Sequence, residues 1–164
     1  MSFSTMDKDL YINYHHAIAN DDLKHVKELV KEQNLNIDTP HPQLASCTPL
    51  YHAATARAYE VLDYLLAKKV KHDPNFTFEL AFGGNFATTE QRREGERQFI
   101  KLHKKHQFPL DATDGLGNSL LHIAASNGSL SFLEYIYNEI GHKHPKDHKK
   151  NTALHAACLA QSTE

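Results

Sequence analysis

Two segments, Ser119-Leu120-Leu121-His122-Ile123-Ala124-Ala125 and Thr152-Ala153-Leu154-His155-Ala156-Ala157-Cys158, repeat nearly the same pattern 33 residues apart. A third copy, Thr48-Pro49-Leu50-Tyr51-His52-Ala53-Ala54, lies 71 residues before the first of these, five more than two such periods. A period near 33 with small residues at its centre predicts stacked helix pairs, in which each pair buries its apolar face only against its neighbours. The expected fold class is therefore all-α. Proteins built this way work by offering a surface to a partner far more often than by chemistry.

Each unit should run as a turn, a short helix, a tight turn, a longer antiparallel helix and a loop to the next unit. In the clearest copy, Asp114 to Asn118 form the turn, with Gly117 free to take a positive φ. Ser119 caps the first helix, Leu121, Ala124 and Ala125 face the core, and Asn127-Gly128 closes the helix. Leu130, Phe132, Leu133 and Ile136 are the apolar positions of the second helix. Upstream, Thr48 is the cap and Pro49 takes the first helical position. There Arg57 replaces the turn glycine, and Val61, Leu62, Leu65 and Leu66 fill the second helix. Counting back 36 residues aligns His15-His16-Ala17-Ile18 with Tyr51-His52-Ala53-Ala54, with Ile12 at the cap position.

The third unit is irregular. Its first helix is expected near Thr77 to Phe82 and its second near Phe99 to Leu102. Between them lie Gly83-Gly84-Asn85 and a charged stretch from Glu90 to Arg97, read as an enlarged connection, part loop and part helix extension, in which the alternating charges of Gln91 to Arg97 form a solvated helix face. A fifth unit opens at Asn151 and supplies one helix. The expected organisation is an N-terminal tail over 1–10, a repeat domain over 11–160 with its irregular third unit at about 75–110, and an end at 161–164 where a longer protein is truncated.

These residues carry a resemblance to the ankyrin-repeat family. Its pattern of Thr-Pro-Leu-His, any residue, then Ala-Ala is matched by Thr48, Pro49 and Leu50, with Tyr51 in place of histidine. It is matched again by Ser119, Leu121, His122, Ala124, Ala125 and Gly128 with the turn Asp114 and Gly117. Thr152, Leu154, His155 and Ala157 match it a third time, with Lys150 where the turn glycine belongs. The resemblance implies an ankyrin-repeat solenoid of about four full repeats and a partial fifth. It also implies that loop tips and short inner helices form a concave groove for another protein.

Composition excludes several alternatives. Hydrophobic residues make up 40% and charged residues 23%, and the net charge of −2 gives no basis for nucleic-acid or membrane binding. The first nine residues lack the apolar run of a signal peptide. Cys47 and Cys158 are too few for a disulfide framework and read as buried thiols of a cytoplasmic protein. No phosphate loop, zinc-hydrolase helix or nucleophile elbow appears, so no enzyme, cofactor or catalytic residue is expected. Cys47 with nearby His52 suggests a thiol–imidazole pair, but five residues across a turn and helix start do not fix one.

The chain has 13 histidines. His15, His122 and His155 share one repeat position and are expected to bond backbone in the neighbouring turn. His142, His144 and His148 sit among four lysines, which oppose a metal cation, so the segment reads as a solvated loop or a basic finger for an acidic partner. No metal ligand is assigned. The partner-binding residues expected from the loops are His41, Gln43, His72, Leu116, His144 and His148, and from the inner helices His16, His52 and Ile123. The expected function is protein–protein interaction by a rigid monomer. The alternative is a targeting domain of a larger enzyme, including an effector that an intracellular bacterium delivers into a host cell. That alternative rests on the abundant Lys, Asn and His and on family likeness.

Overall fold

The computed structural model describes residues 5–44, 47–72, 74–83 and 88–161. Their regular structure is helical, with no strand among the described residues: α1 (Thr5–Ala19), α2 (Leu23–Glu32), α3 (Pro49–Thr55), α4 (Tyr59–Ala67), α5 (Pro74–Phe82), α6 (Thr89–His106), α7 (Leu120–Ser126), α8 (Leu130–Glu139) and α9 (Ala153–Gln161). None of these helices is long and apolar enough to cross a membrane. The chain divides into two compact units, one ending at His106 and the other beginning at Gln107.

In the first unit α1 pairs with α2, α3 with α4 and α5 with α6. The first helices pack on one another, α1 on α3 and α3 on α5, and so do the second helices, α2 on α4 and α4 on α6. Alanines make the first-helix stack possible: Ala53 and Ala81 are fully buried and Ala17 and Ala54 nearly so. Around them Tyr14, Ile18, Leu50, Leu62, Leu65, Phe76, Leu80 and Phe99 are almost completely removed from water. Each such side chain contributes about 1.5–3 kcal/mol relative to exposure.

Polar ties run between successive pairs. Thr48 accepts the Tyr51 N–H at 3.2 Å and so caps α3, with Pro49 at its first turn. The α4 N-terminus has no cap of its own side chains. The neighbouring pair supplies one: the Asp21 carboxylate accepts the N–H of Val61 at 2.9 Å and of Glu60 at 3.4 Å. An anion there also suits the positive end of the helix dipole. Asp38 accepts the Lys71 N–H, and Lys105 and His106 both reach Asp63.

Three expectations change here. Residues 5–10, read as tail, belong to α1, which begins at Thr5 rather than near residue 11. The charged stretch from Glu90 to Arg97, expected as part helix extension and part loop, is helix throughout, so only the loop portion changes; it forms the first turns of the 18-residue α6. Alternating charges form i,i+3 and i,i+4 bonds there, Arg97 to Glu94 and Gln98 to Glu94, which a helix satisfies more readily than a loop. Of the loop expected at Gly83-Gly84-Asn85, only Gly83 lies among the described residues. Leu130, expected among the apolar positions of the second helix, is 75% exposed at the start of α8, whereas Phe132 and Ile136 are buried.

The second unit contains α7, α8 and α9, with α7 packed on both others. Two turns that precede α7 and α9 share one construction. Asp114 Oδ1 accepts the N–H of Leu116 and of Asn118, both at 2.8 Å, and Oδ2 accepts the Asn118 side-chain amide at 2.9 Å. Asp147 does the same for Lys149 and Asn151 with the same distances. The left-handed position is Gly117 (φ +80°) in one turn and Lys150 (φ +66°) in the other. The turn geometry survives loss of its glycine because the aspartate fixes it. On α9, Leu154, Leu159 and Cys158 are exposed, so the expected burial of Cys158 does not hold, while Cys47 is buried.

Two outcomes check this packing. Gly95 sits where α6 crosses α5, and a Cβ there would lie 2.5 Å from the Leu80 carbonyl oxygen and 2.8 Å from that of Ala81. Gly95→Ala should destabilise the protein by about 1–2 kcal/mol in chemical denaturation, although alanine favours helix by about 1 kcal/mol. Burial raises the Asp114 carboxyl pKa, but the bonds from Asn118 and Leu116 outweigh it and hold the group below the ordinary carboxylate range. Its folded value lies below its unfolded one, so its stabilisation is present above the unfolded value and is lost as pH falls through the folded value. Asp114→Ala should cost about 1–2 kcal/mol at neutral pH, and the gap to the parent protein should shrink in denaturation curves taken below about pH 3.9.

Candidate functional site

The histidine at the shared repeat position is the starting point. In α7, His122 Nδ1 accepts the Ser119 N–H at 3.1 Å and lies 2.9 Å from the Ser119 hydroxyl. Its Nε2 lies 2.9 Å from the Asn151 carbonyl oxygen. A carbonyl only accepts, so the proton is on Nε2, and the ring ties α7 to the turn before α9. In α9, His155 makes the same Nδ1 contacts with Thr152. The expected structural role is what these bonds perform.

His15 on α1 repeats half of this. Its Nε2 donates to the Thr39 carbonyl at 3.1 Å. Three residues earlier, however, stands Ile12, with no hydroxyl and within the helix. His15 Nδ1 instead faces His52 Nδ1 of α3 at 3.0 Å. The two rings stack at 5.3 Å, and the His41 ring stands edge-on to both, at 5.0 Å from His15 and 6.3 Å from His52. Cys47 completes the group: its sulfur and one nitrogen each of His15 and His52 all lie within 4.8 Å of one another.

The turn His41–Leu44, with Cys47 bonded back to it, builds the outer wall. His41 N–H donates to the Cys47 carbonyl at 2.9 Å, and Cys47 N–H donates to Leu44 at 2.7 Å. His41 Nδ1 accepts the Gln43 N–H at 3.2 Å, so a neutral His41 carries its proton on Nε2. Burial pushes the His15 pKa down to about 4, against the carbonyl of Thr39 that favours the charged ring, and neighbouring His52 and His41 lower it further. Burial also lowers His52, helped by His41 and His16. Both rings are neutral at physiological pH, with nitrogen lone pairs to offer.

Of the residues expected to meet a partner, His16 is exposed on α1 and His52 is half-buried against His15. His52, expected beside His16 among the inner-helix contacts, therefore offers a partner less surface than His16 does. His41 is half-buried and Gln43 exposed in the same turn, near Leu44 at 58% exposure. His72 is exposed and lies edge-on to Phe76 at 5.6 Å, with its pKa lowered by burial. In the second unit Leu116 is 68% exposed at the tip of its turn. His148 joins it, donating its backbone N–H to the Leu116 carbonyl at 3.1 Å. The His148 ring lies over Gly117, where a Cβ would meet it at 2.5 Å. Ile123 is half-buried on α7. His144 is exposed and bonds the Tyr137 hydroxyl at 3.2 Å, while the His142 ring is edge-on to Tyr137 at 4.9 Å. Among the described residues, the three histidines of that basic loop make no grouping able to hold a metal.

Sequence reasoning weighed Cys47 with His52 and set the pair aside, and it assigned His15 to architecture alone. The available signal was Ile12 at a cap position, which deprives the His15 Nδ1 of its hydroxyl partner. Compared with known proteins, the chain matches no family model and no curated protein.

If His122 is structural, its loss strands the Ser119 N–H and the Asn151 carbonyl. His122→Leu should then destabilise the second unit by about 2 kcal/mol, while His155→Leu, at an exposed ring with the same Nδ1 contacts, should cost less than about 0.5 kcal/mol in parallel urea titrations.

Proposed function

We propose that this chain is a protein-binding module of the ankyrin-repeat type that acts without chemistry of its own, within the cytoplasm. The single observation that carries the reading is Leu116: a large apolar side chain, 68% exposed, at the tip of a turn locked by Asp114 and braced by His148. An exposed leucine on a flexible loop would lose entropy on binding, but one on a preorganised turn loses little. Exposed leucine with imidazole and amide neighbours is the mixture from which protein interfaces are made. The 33-residue recurrence of that turn, with His144 and His148 on the segment that follows α8, supports a partner that spans successive turns. In the first unit His16, Gln43, Leu44 and His72 offer comparable exposed contacts.

The test is a pull-down with the full chain, repeated with Leu116→Glu and with His148→Glu, each confirmed as folded by circular dichroism. A partner captured by the parent chain should be retained at least about tenfold less by both variants, as a desolvated anchor worth over 1.4 kcal/mol requires. Equal capture by all three proteins removes this surface from the reading.

A further inference from the structure

We propose that His15, Cys47 and His52 form a binding site for a thiophilic divalent metal ion, zinc(II) in the first instance. The site lies where α1, α3 and Cys47 meet beside the His41–Leu44 turn, and it is distinct from the surface around Leu116.

The donor set is the first argument. Two imidazole nitrogens and a thiolate suit a borderline-soft cation, and the three donor atoms lie within 4.8 Å of one another. With bonds of about 2.1 Å to nitrogen and 2.3 Å to sulfur, a tetrahedral shell needs a nitrogen–nitrogen edge of about 3.4 Å and nitrogen–sulfur edges of about 3.6 Å. His15 Nδ1 and His52 Nδ1 are 3.0 Å apart, so small side-chain movements bring all three onto one ion.

The second argument is the state of the His15 ring. Its Nε2–H is committed to the Thr39 carbonyl, which fixes the tautomer and leaves the Nδ1 lone pair to accept from His52 Nδ1–H, a contact that a metal ion replaces. A metal-ligating histidine almost always has its other nitrogen held by a carbonyl or carboxylate in this way. At the same repeat position, His122 and His155 have Nδ1 occupied by a cap residue's hydroxyl and N–H. Only at His15 does isoleucine stand in the place of that cap, so its lone pair is turned to His52. Burial keeps both rings neutral, the form that ligates.

Binding is balanced simply. The Cys47 thiol releases one proton, His52 moves its Nδ1 proton to Nε2, and His15 changes nothing. His41, with Nδ1 taken by the Gln43 N–H, walls the site instead of ligating. The fourth position is left to water.

Titration of the reduced full chain with cobalt(II), then displacement by zinc(II), tests the assignment. One equivalent of cobalt should bind and produce a thiolate-to-cobalt charge-transfer band in the near ultraviolet, and zinc should abolish that band. Calorimetry in buffers of different ionisation enthalpy should report about one proton released. Cys47→Ser should remove the band, and His52→Gln should weaken zinc binding by about 100-fold. His52 is only half-buried, so that variant keeps the assay interpretable if Cys47→Ser does not fold. A paired His144→Gln and His148→Gln variant should bind as the parent does. Absence of bound metal, cobalt bound without the thiolate band, a band that survives Cys47→Ser, or binding lost with His144 and His148 would overturn the proposal.

Discussion

The close approach of the short first helices governs the rest of this molecule. Alanines at 17, 53, 54 and 81 in the first unit, and at 124 in the second, let helix backbones come near each other. Helices this short have too few internal hydrogen bonds to stand alone, so their ends must be satisfied from outside. That need explains Asp21 reaching over to the N-terminus of α4, and His122 reaching over to the Asn151 carbonyl. It also explains Gly95, where α6 meets carbonyls of α5 with no space for a side chain. The polar ties follow from the apolar packing.

Much of the helical layout was legible in the sequence, for local reasons. Thr48 with Pro49, and Ser119 before its apolar run, are start signals whose hydrogen bonds involve only the next turn. The spacing of Val61, Leu62, Leu65 and Leu66 marked a buried stripe, and all four are buried. The beginning of α1 was not legible, because Met6 is the one apolar residue among Thr5 to Asp9 and their helix carries no clear apolar period. The charged opening of α6 was legible as a solvated helix face from its alternating charges, but its full helical extent was not, because a solvated helix and a loop have similar composition.

The site around His15 illustrates a different limit. His15, Cys47 and His52 are separated by 32 and 5 residues, in a helix, a turn and another helix. No local pattern joins them. What brings them together is the packing of α1 on α3, which the alanines permit. The one sequence clue was negative, the lack of a hydroxyl at Ile12. A repeat position that is purely architectural in two copies becomes chemically available in the third through the loss of one oxygen atom nearby.

The ends of the helices carry a further consequence. A left-handed residue follows each of α1 to α8: Asp21, Asn34, Arg57, Lys69, Gly83, Gln107, Gly128 and Gly141. Five of the eight are not glycine, and three of those, Arg57, Lys69 and Gln107, are neither Asn nor Asp and hold a backbone conformation that costs about 1–2 kcal/mol. Arg57 shows what is gained in return, since its guanidinium donates to the Gln91 carbonyl at 2.8 Å, a reach no glycine has. Lys69 has no comparable bond among the described contacts and bears the cost alone. The hairpins are thus bent by the pressure of their neighbours more than by their own turn residues. Such a chain can exchange its turn residues freely over evolutionary time, losing the written marks of its repeats while each bend stays where packing puts it.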